Sequence, residues 1–376
     1  MKPRILFILH LPPPVHGAAM VGKYIHDSKL INEAFDCRYL NLAIANSIED
    51  IGKVSLGKIS ATIKMLMNIR REVKTFRPDL VYVTPNASGG AFFKEFLVVQ
   101  ALKQMGCNVI AHYHNKGVST RQDNWLYDQL YRRFFKRVKV ILLAKALYPD
   151  MQKYVRRADV AICPNGIPAV DYAYTERHNT PTRLLFLSNL IESKGVLVLL
   201  DALALLKKKG QSFFCDFVGG ETFEIDRSRF DREVALRQLT DCVVYHGPKH
   251  GKEKDAYFEQ TDIFVFPTAY PREAFPLVNL EAMAHYLPVV STNEGGITDM
   301  VRNGINGLIC PKEDPQSLAD CIEQLITDKD LRIKMGIAGH SIYENEYTME
   351  HFEKNMLNIL NTTIAHLATA THESGE

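Results

Sequence analysis

Short apolar runs alternate with helix-length amphipathic segments along nearly the whole chain, and this alternation limits the fold more than any other feature. Runs at 4–11, 36–42, 79–84, 108–113, 139–144 and 159–163 are strand candidates, apolar and mostly bounded by turn residues. Helical spacing lies between them, near 18–29, 58–76, 91–105, 124–137 and 147–156. The pattern then returns. Strand candidates follow at 183–188, 213–218, 242–246, 262–266, 288–292 and 307–310, with helices near 194–209, 228–240, 252–260, 276–287, 297–303 and 315–326. Strand–helix alternation predicts parallel α/β sheets covered on both faces. A chain of 376 residues exceeds one ordinary core, so two doubly wound α/β halves are expected. Their junction is placed in the turn-rich Cys163-Pro164-Asn165-Gly166-Ile167-Pro168, ahead of the polar run 171–182. Phe352, Met356, Ile359 and Leu360 predict a last helix over 347–370, and 369–376 reads as frayed.

Several function classes drop out on composition. No run of 18 apolar residues occurs, so no spanning helix is expected. The apolar run at Ile5–Leu9 is too short for a signal segment and runs into three prolines, which suits a first strand. Seven scattered cysteines without a C-x-x-C spacing read as reduced core residues of a cytoplasmic protein. The charge is uneven. Residues 1–165 carry 25 Lys+Arg against 12 Asp+Glu, and 166–376 carry 20 against 31. A basic first half suits an anionic partner such as nucleic acid, an anionic membrane surface or an anionic acceptor, unless the two halves simply attract each other. The basic and aromatic run 129–139 could dock on an anionic leaflet or be a solvated helix face.

The chemistry concentrates around Glu273 and Glu281, seven residues apart in Arg272-Glu273-Ala274-Phe275-Pro276-Leu277-Val278-Asn279-Leu280-Glu281. Pro276 suits a first helical turn, and Leu277, Leu280, Ala284 and Leu287 give that helix a buried face. Glu273 then lies on the loop before the helix and Glu281 about a turn and a half inside it. Backbone N–H groups left open between them favour a phosphate. Two acceptor-only carboxylates flanking an anion site suit a nucleotide sugar, with hydroxyls at both ends and a diphosphate between. Alternatively, the pair is a helix-start charge and a solvated face residue.

Other residues stand where strands end, the ligand-facing edge of an open parallel sheet. Leu11-Pro12-Pro13-Pro14-Val15-His16-Gly17 closes the first strand without a G-x-G-x-x-G, which argues against nicotinamide binding. Gly17 either lets backbone approach a phosphate or is a plain turn residue. His112 and His114 end another strand and point the same way; a metal reading lacks further ligands. Ser188-Asn189 and Lys194-Gly195 open the second half, and Gly219-Gly220 and His246-Gly247 end two later strands. Asp328-Lys329-Asp330 looks like a metal-binding D-x-D but reads more simply as a helix cap with first-turn charge.

The stretch from Asp262 to Leu308, with Glu294-Gly295-Gly296 and Asn303-Gly304-Ile305-Asn306-Gly307 behind the glutamate pair, resembles the signature region of retaining glycosyltransferases of GT-B fold, group 1 or family 4. Glu273 and Glu281 match that family's E-x7-E motif. The resemblance implies two Rossmann-like, doubly wound domains facing across a cleft. It divides them as an acceptor domain over 1–165, with the last helix 347–370 crossing back onto it, and a nucleotide-sugar domain over 166–346. It implies a hexosyl- or N-acetylhexosaminyltransferase acting on a glycan or glycolipid acceptor in surface polysaccharide or lipopolysaccharide biosynthesis. The donor is expected to be a nucleotide sugar, UDP-linked, with no metal and no cofactor. Catalytic roles fall to Glu273, His114 and Lys194. Donor contacts fall to Glu281, Gly17, Asn189, Ala274, Phe275, Pro276, Leu277, Gly219 and His246, while His16 and His112 are placed on the acceptor side. The expected location is cytoplasmic, peripheral on the inner membrane face, with no nucleic-acid partner. One departure stands out. The family's Gly-Arg is replaced by Ser188-Asn189, leaving phosphate charge to Lys194, backbone N–H groups and a residue such as Arg272. An epimerase of the same fold and a non-catalytic nucleotide-sugar-binding protein are the rival readings.

Overall fold

The computed structural model describes residues 2–13, 17–42, 56–170 and 172–373. The chain forms two compact units, one of residues 1–165 with 350–376 and one of residues 166–349.

The first unit is built on β1 (Arg4–Leu9), β2 (Asp36–Asn41), β3 (Leu80–Val83), β4 (Val109–Tyr113), β5 (Val138–Leu142) and β6 (Val160–Ile162), in the order β2-β1-β3-β4-β5-β6. Every pairing is parallel. Its helices are α1 (Gly17–Asp27), α2 (Lys29–Ala34), α3 (Leu56–Phe76), α4 (Gly89–Gln104) and α5 (Trp125–Phe135). Parallel strands need right-handed crossovers. The steps β2→β3, β3→β4 and β4→β5 all move one way across the sheet, so α3, α4 and α5 share one face. The step β1→β2 moves the other way and puts α1 and α2 on the opposite face. Buried on both sides, β1, β3 and β4 are apolar almost throughout, with Ile5, Leu6, Phe7, Val81, Ile110 and Ala111 in the core.

The second unit repeats the scheme with β7 (Thr182–Leu187), β8 (Phe213–Val218), β9 (Val243–Tyr245), β10 (Ile263–Phe266), β11 (Val289–Thr292) and β12 (Gly307–Cys310), in the order β12-β11-β10-β7-β8-β9. Its helices are α6 (Val196–Lys208), α7 (Arg227–Leu236), α8 (Lys252–Gln260), α9 (Leu277–Ala284), α10 (Ile297–Met300), α11 (Pro315–Thr327) and α12 (Lys329–Glu346). The strand order reverses between β7 and β10, so the carboxyl ends of these two strands form the switch point where such sheets bind ligands. A last helix, α13 (Met349–Glu373), belongs to the first unit from Glu350 onward and buries Phe352, Met356 and Leu360 there.

Three local expectations need correction. The helix expected over 147–156 is a 3₁₀ turn at Lys145–Asp150, because Pro149 inside it withholds an N–H. The helix expected over 18–29 stops at Asp27, and the Ser28 hydroxyl caps α2 by accepting from the Ile31 N–H at 3.3 Å. Pro276 is the cap of α9 rather than its first turn, with an extended backbone at φ −69°, ψ 112°. Asp328 caps α12, its carboxylate accepting from the Leu331 N–H at 2.9 Å. Among the described residues no helix is long and apolar enough to cross a membrane.

Candidate active site

In the second unit the candidate residues gather at the carboxyl ends of β7 and β10. After β7 the chain makes a short 3₁₀ turn, Glu192–Lys194, and enters α6 through Gly195. Gly195 has φ +89°, and a Cβ there would lie 2.3 Å from the Pro267 carbonyl oxygen. Only glycine lets this turn sit against the loop that follows β10. The Ala269 N–H donates to the Ser193 carbonyl at 2.8 Å and fixes the approach. The consequence is electrostatic: the Lys194 ammonium pairs with the Glu273 carboxylate, 79 residues away in sequence. The same ammonium stands 4.6 Å from the Tyr270 ring centroid and 5.4 Å from that of Phe266, a cation–π setting that keeps it in place.

Glu273 is steadied from the other side as well. Gly295, at φ +56°, packs so that a Cβ would meet the Glu273 carbonyl oxygen at 2.2 Å. The next N–H, of Gly296, donates to the Ala274 carbonyl at 2.7 Å. Ala274, Phe275 and Pro276 are buried and offer backbone rather than side chains. Leu277 and Val278 open α9 without bonding a backbone acceptor, as expected of a helix start, while the Asn279 N–H turns back to the Pro276 carbonyl at 3.2 Å. A concentration of open donors thus follows Glu273 directly.

Glu281 lies further along α9. Its Oε1 accepts from Lys254 of α8 at 2.8 Å, while Oε2 is buried and has no hydrogen-bond partner. Burial raises this carboxyl above the ordinary carboxylate range, and Lys254 opposes the shift. Asn279, fully buried, likewise leaves both amide atoms without partners. Lys254, Tyr270 and Asn279 escaped the sequence reading. Asn279 stands between the two glutamates and could have been suspected, whereas Lys254 and Tyr270 enter only through tertiary packing.

Asn189 and Gly219 lie at neighbouring strand ends. The Asn189 side-chain Oδ1 accepts from the Gly220 N–H at 3.1 Å, which makes this side chain a clamp between the β7 and β8 turns. The Gly219 N–H donates to the Gly247 carbonyl at 3.0 Å, joining the β8 and β9 ends. His246 is committed inward, its Nε2 2.7 Å from Asp216, a buried carboxylate that also accepts from Arg183 at 2.8 Å. Arg272 is exposed beside Glu273.

In the first unit the expected residues separate. His112 is fully buried, with Nδ1 2.6 Å from the Tyr82 hydroxyl, and this removes it from any acceptor surface. Burial first, then neighbouring His114, holds its imidazole well below the ordinary histidine range. His114 is half-buried, its ring 4.2 Å from that of His112. Gly17 begins α1 and a Cβ there would meet nothing within 4 Å; the glycine demanded by close packing on that helix is Gly22, against the His10 carbonyl. His16 lies outside the described residues. A polar network missed in the sequence occupies this strand edge. Glu95, 2 % exposed, accepts from the Asn86 N–H at 2.6 Å and the Asn86 amide at 3.0 Å, and Asn115 donates to the Asn86 side chain at 2.8 Å. His10 adds its Nε2 at 3.7 Å from Glu95. The spacing of Phe92, Glu95, Val98, Val99 and Leu102 puts Glu95 on the buried face of α4, a signal available in the sequence.

Residues 173–341 match the family model described as glycosyl transferases group 1. The amylovoran biosynthesis glycosyltransferase AmsK of Erwinia amylovora is 29 % identical over 184 residues, 48 % of this chain and 44 % of AmsK. The capsular polysaccharide biosynthesis glycosyltransferase CapM of Staphylococcus aureus is 30 % identical over 179 residues, 47 % of this chain and 45 % of CapM. These matches span about half the length of the relatives. A lipopolysaccharide 1,2-N-acetylglucosaminetransferase of Salmonella typhimurium is 25 % identical over 315 residues, 78 % of this chain and 76 % of that protein. Sucrose-phosphate synthase of Thermosynechococcus elongatus superposes with a TM-score of 0.76 at 17 % identity, covering 97 % of this chain and 100 % of that one. HepE of Anabaena in complex with UDP-glucose superposes with a TM-score of 0.68 at 16 % identity, covering 96 % of this chain and 99 % of that one. The architecture is that of the GT-B fold.

Proposed function

We propose that the protein transfers a glycosyl group from a nucleoside-diphosphate sugar to a glycan or lipid-linked glycan, a reading supported by the match of residues 173–341 to the glycosyl transferases group 1 family. The reading rests chiefly on one observation: Lys194 is paired with Glu273 on the loop just ahead of α9, and Glu281 offers an unpartnered carboxylate oxygen within that helix. Polysaccharide and lipopolysaccharide biosynthesis in the relatives supports the acceptor class. UDP-glucose bound by HepE supports a UDP-linked donor.

In this reading Glu281 accepts the ribose hydroxyls, and the open N–H groups of α9 with Lys194 receive the diphosphate. Glu273 accepts hydroxyls of the transferred sugar, and its pairing keeps Lys194 aimed. His114 of the first unit is assigned to a sugar hydroxyl. During transfer the bond between the anomeric carbon and the diphosphate oxygen breaks, and a bond to the acceptor oxygen forms on the same face. The acceptor proton passes to the departing phosphate oxygen, so configuration is retained. Charge grows on the diphosphate, where Lys194 and fixed N–H dipoles stabilise it without a divalent ion. No cofactor takes part. Asn189 in place of the family's arginine supplies no charge and acts through the turn it clamps.

The test is a thermal-shift panel of nucleoside-diphosphate sugars on the full chain, followed by release of nucleotide from the donor that binds. One donor should raise the melting temperature selectively. Glu273→Ala should then lower turnover about 10²–10³-fold, the range for losing one preorganised electrostatic partner. Activity should persist in excess EDTA. Absence of a shift with every donor would overturn the reading, and loss in EDTA restored by Mn²⁺ would overturn the metal-free mechanism.

A further inference from the structure

The loop from β8 to α7, at the carboxyl edge of the second sheet, presents a side chain that the fold does not use. Phe223 is 98 % exposed, more than any other large apolar side chain among the described residues. Single exposed apolar residues are ordinary on a protein surface. This one is distinguished by its loop, which is bonded at nearly every step. A Cβ on Gly219 would meet the Ser188 carbonyl oxygen at 1.8 Å, so the chain leaves β8 pressed against the end of β7. Asn189, standing where the family has arginine, then clamps the Gly220 N–H, and the Leu190 N–H donates to the Gly220 carbonyl at 2.8 Å. The Thr222 hydroxyl donates to the Leu190 carbonyl at 2.6 Å and accepts from the N–H groups of Glu224 at 3.2 Å and Ile225 at 3.3 Å. The Thr222 N–H closes the turn on the Ile225 carbonyl at 3.1 Å. Ile225 is fully buried, so the turn has an apolar anchor of its own and leaves Phe223 outside. Glu224 accepts from the Glu192 N–H at 2.9 Å and ties the turn to the 3₁₀ segment that carries Lys194.

The surroundings of the ring limit what can use it. A protein interface brings a cluster of apolar side chains at its centre. Between residues 188 and 235 Phe223 is the only large apolar side chain that is exposed. Charge argues against an anion. Glu221, Glu224 and Asp226 flank the ring in sequence, while Arg229 is taken up by Glu192 at 2.6 Å and Arg227 by Asp231 at 2.9 Å. The charge left over is negative and repels a nucleotide diphosphate. An uncharged pyranose suits both features. One face of such a ring carries C–H bonds that lie against the electron-rich face of an aromatic side chain, and the hydroxyls on its rim donate to carboxylates. Glu221 is held ready for a hydroxyl: its Oε2 accepts from the Arg227 N–H at 2.8 Å, and its Oε1 meets no protein donor among the described residues.

We infer that Phe223 and Glu221 form a carbohydrate subsite on the second unit, which takes an uncharged hexopyranose of the acceptor glycan. The ring supplies the stacking surface and Glu221 accepts a hydroxyl. The bonds through Leu190 and Glu192 hold this subsite in fixed relation to Lys194, so the ordering cost of the loop is met before the glycan arrives. Assigning the sugar to the acceptor rests on the glycosyltransferase reading; the carbohydrate subsite itself does not.

The experiment is saturation-transfer NMR of the full chain, titrated with the methyl glycosides of glucose, galactose and N-acetylglucosamine, and with methyl glucuronide as the charged control. Expected is saturation of the ring C–H protons of at least one neutral glycoside, and none of the glucuronide. Phe223→Ala should weaken that glycoside about 2- to 10-fold, the scale of one aromatic contact. Phe223→Tyr should restore it, and Glu221→Gln should weaken it with the C–H pattern unchanged. Because Phe223 is exposed, the melting temperature and the donor-induced shift should stay at wild-type values in Phe223→Ala. No saturated glycoside, equal saturation in wild type and Phe223→Ala, or equal binding of the glucuronide would overturn the inference. So would a donor shift lost in Phe223→Ala, which would assign the ring to the nucleotide. A wild-type dimer in light scattering that Phe223→Ala makes monomeric would assign it to a second copy. Glycoside binding that depends on Phe223, in a protein that no donor stabilises, would uphold the subsite and overturn the glycosyltransferase reading.

Discussion

Neighbouring histidines on one strand can have opposite fates, and His112 and His114 show why. A strand places both on one side of the sheet, yet two residues of rise take the second from the core to its edge. His112 is buried as a neutral ring on Tyr82, and this predicts a pH effect. Below about pH 6.5 an unfolded chain takes up a proton that the folded His112 refuses. Its stabilising contribution is therefore present above that pH and falls as the pH drops toward the folded-state value. The slope approaches about 1.4 kcal/mol per pH unit for one proton. Denaturation measured between pH 7 and 5 should show this slope in the wild type and lose it in His112→Gln. Equal slopes in both would mean that the ring titrates normally. Lys194 and Glu273 make the complementary case. Each was legible as a candidate, but their pairing was not, because it depends on two loops meeting across the ends of β7 and β10.

Those loops are the decisive elements. Lys194 is aimed by a turn that only glycine completes, so Gly195→Ala should cost about 1–3 kcal/mol from backbone strain alone. It should also reduce the donor-induced melting shift far more than a substitution on the exposed side of α6. A Gly195→Ala protein with wild-type melting and donor response would show that the turn does not position Lys194. Elements whose cause is local were readable in advance. Strands buried on both faces declare themselves by apolar runs, and Asp328 declares itself as a cap by position. Where reading failed, the deciding interaction was short-range chemistry weighed wrongly. Pro149 tightened an expected α-helix into 3₁₀, and Ser28 ended one helix by beginning another. In the first unit Glu95 could have been read from its helical face, whereas in the second unit the Lys254 contact with Glu281 needed the packing of α8 beside α9.

At the scale of the molecule, the first unit is discontinuous in sequence. Phe352, Met356 and Leu360 of α13 are buried in it, and the Phe352 carbonyl lies 4.0 Å from the Cys163 sulfur. Burying three such side chains contributes on the order of 5 kcal/mol. A chain ending at residue 349 should therefore lose the first unit's stability and expose Cys163 to thiol reagents. The donor-induced shift should survive, because residues 166–349 remain whole. Protection of Cys163 in the truncated chain would contradict this. The same discontinuity sets an order of events during synthesis. Every strand of the first sheet leaves the ribosome before any strand of the second, yet its last covering helix leaves after all of them. The half made first is finished last, and while translation continues the apolar surface that α13 covers stays exposed.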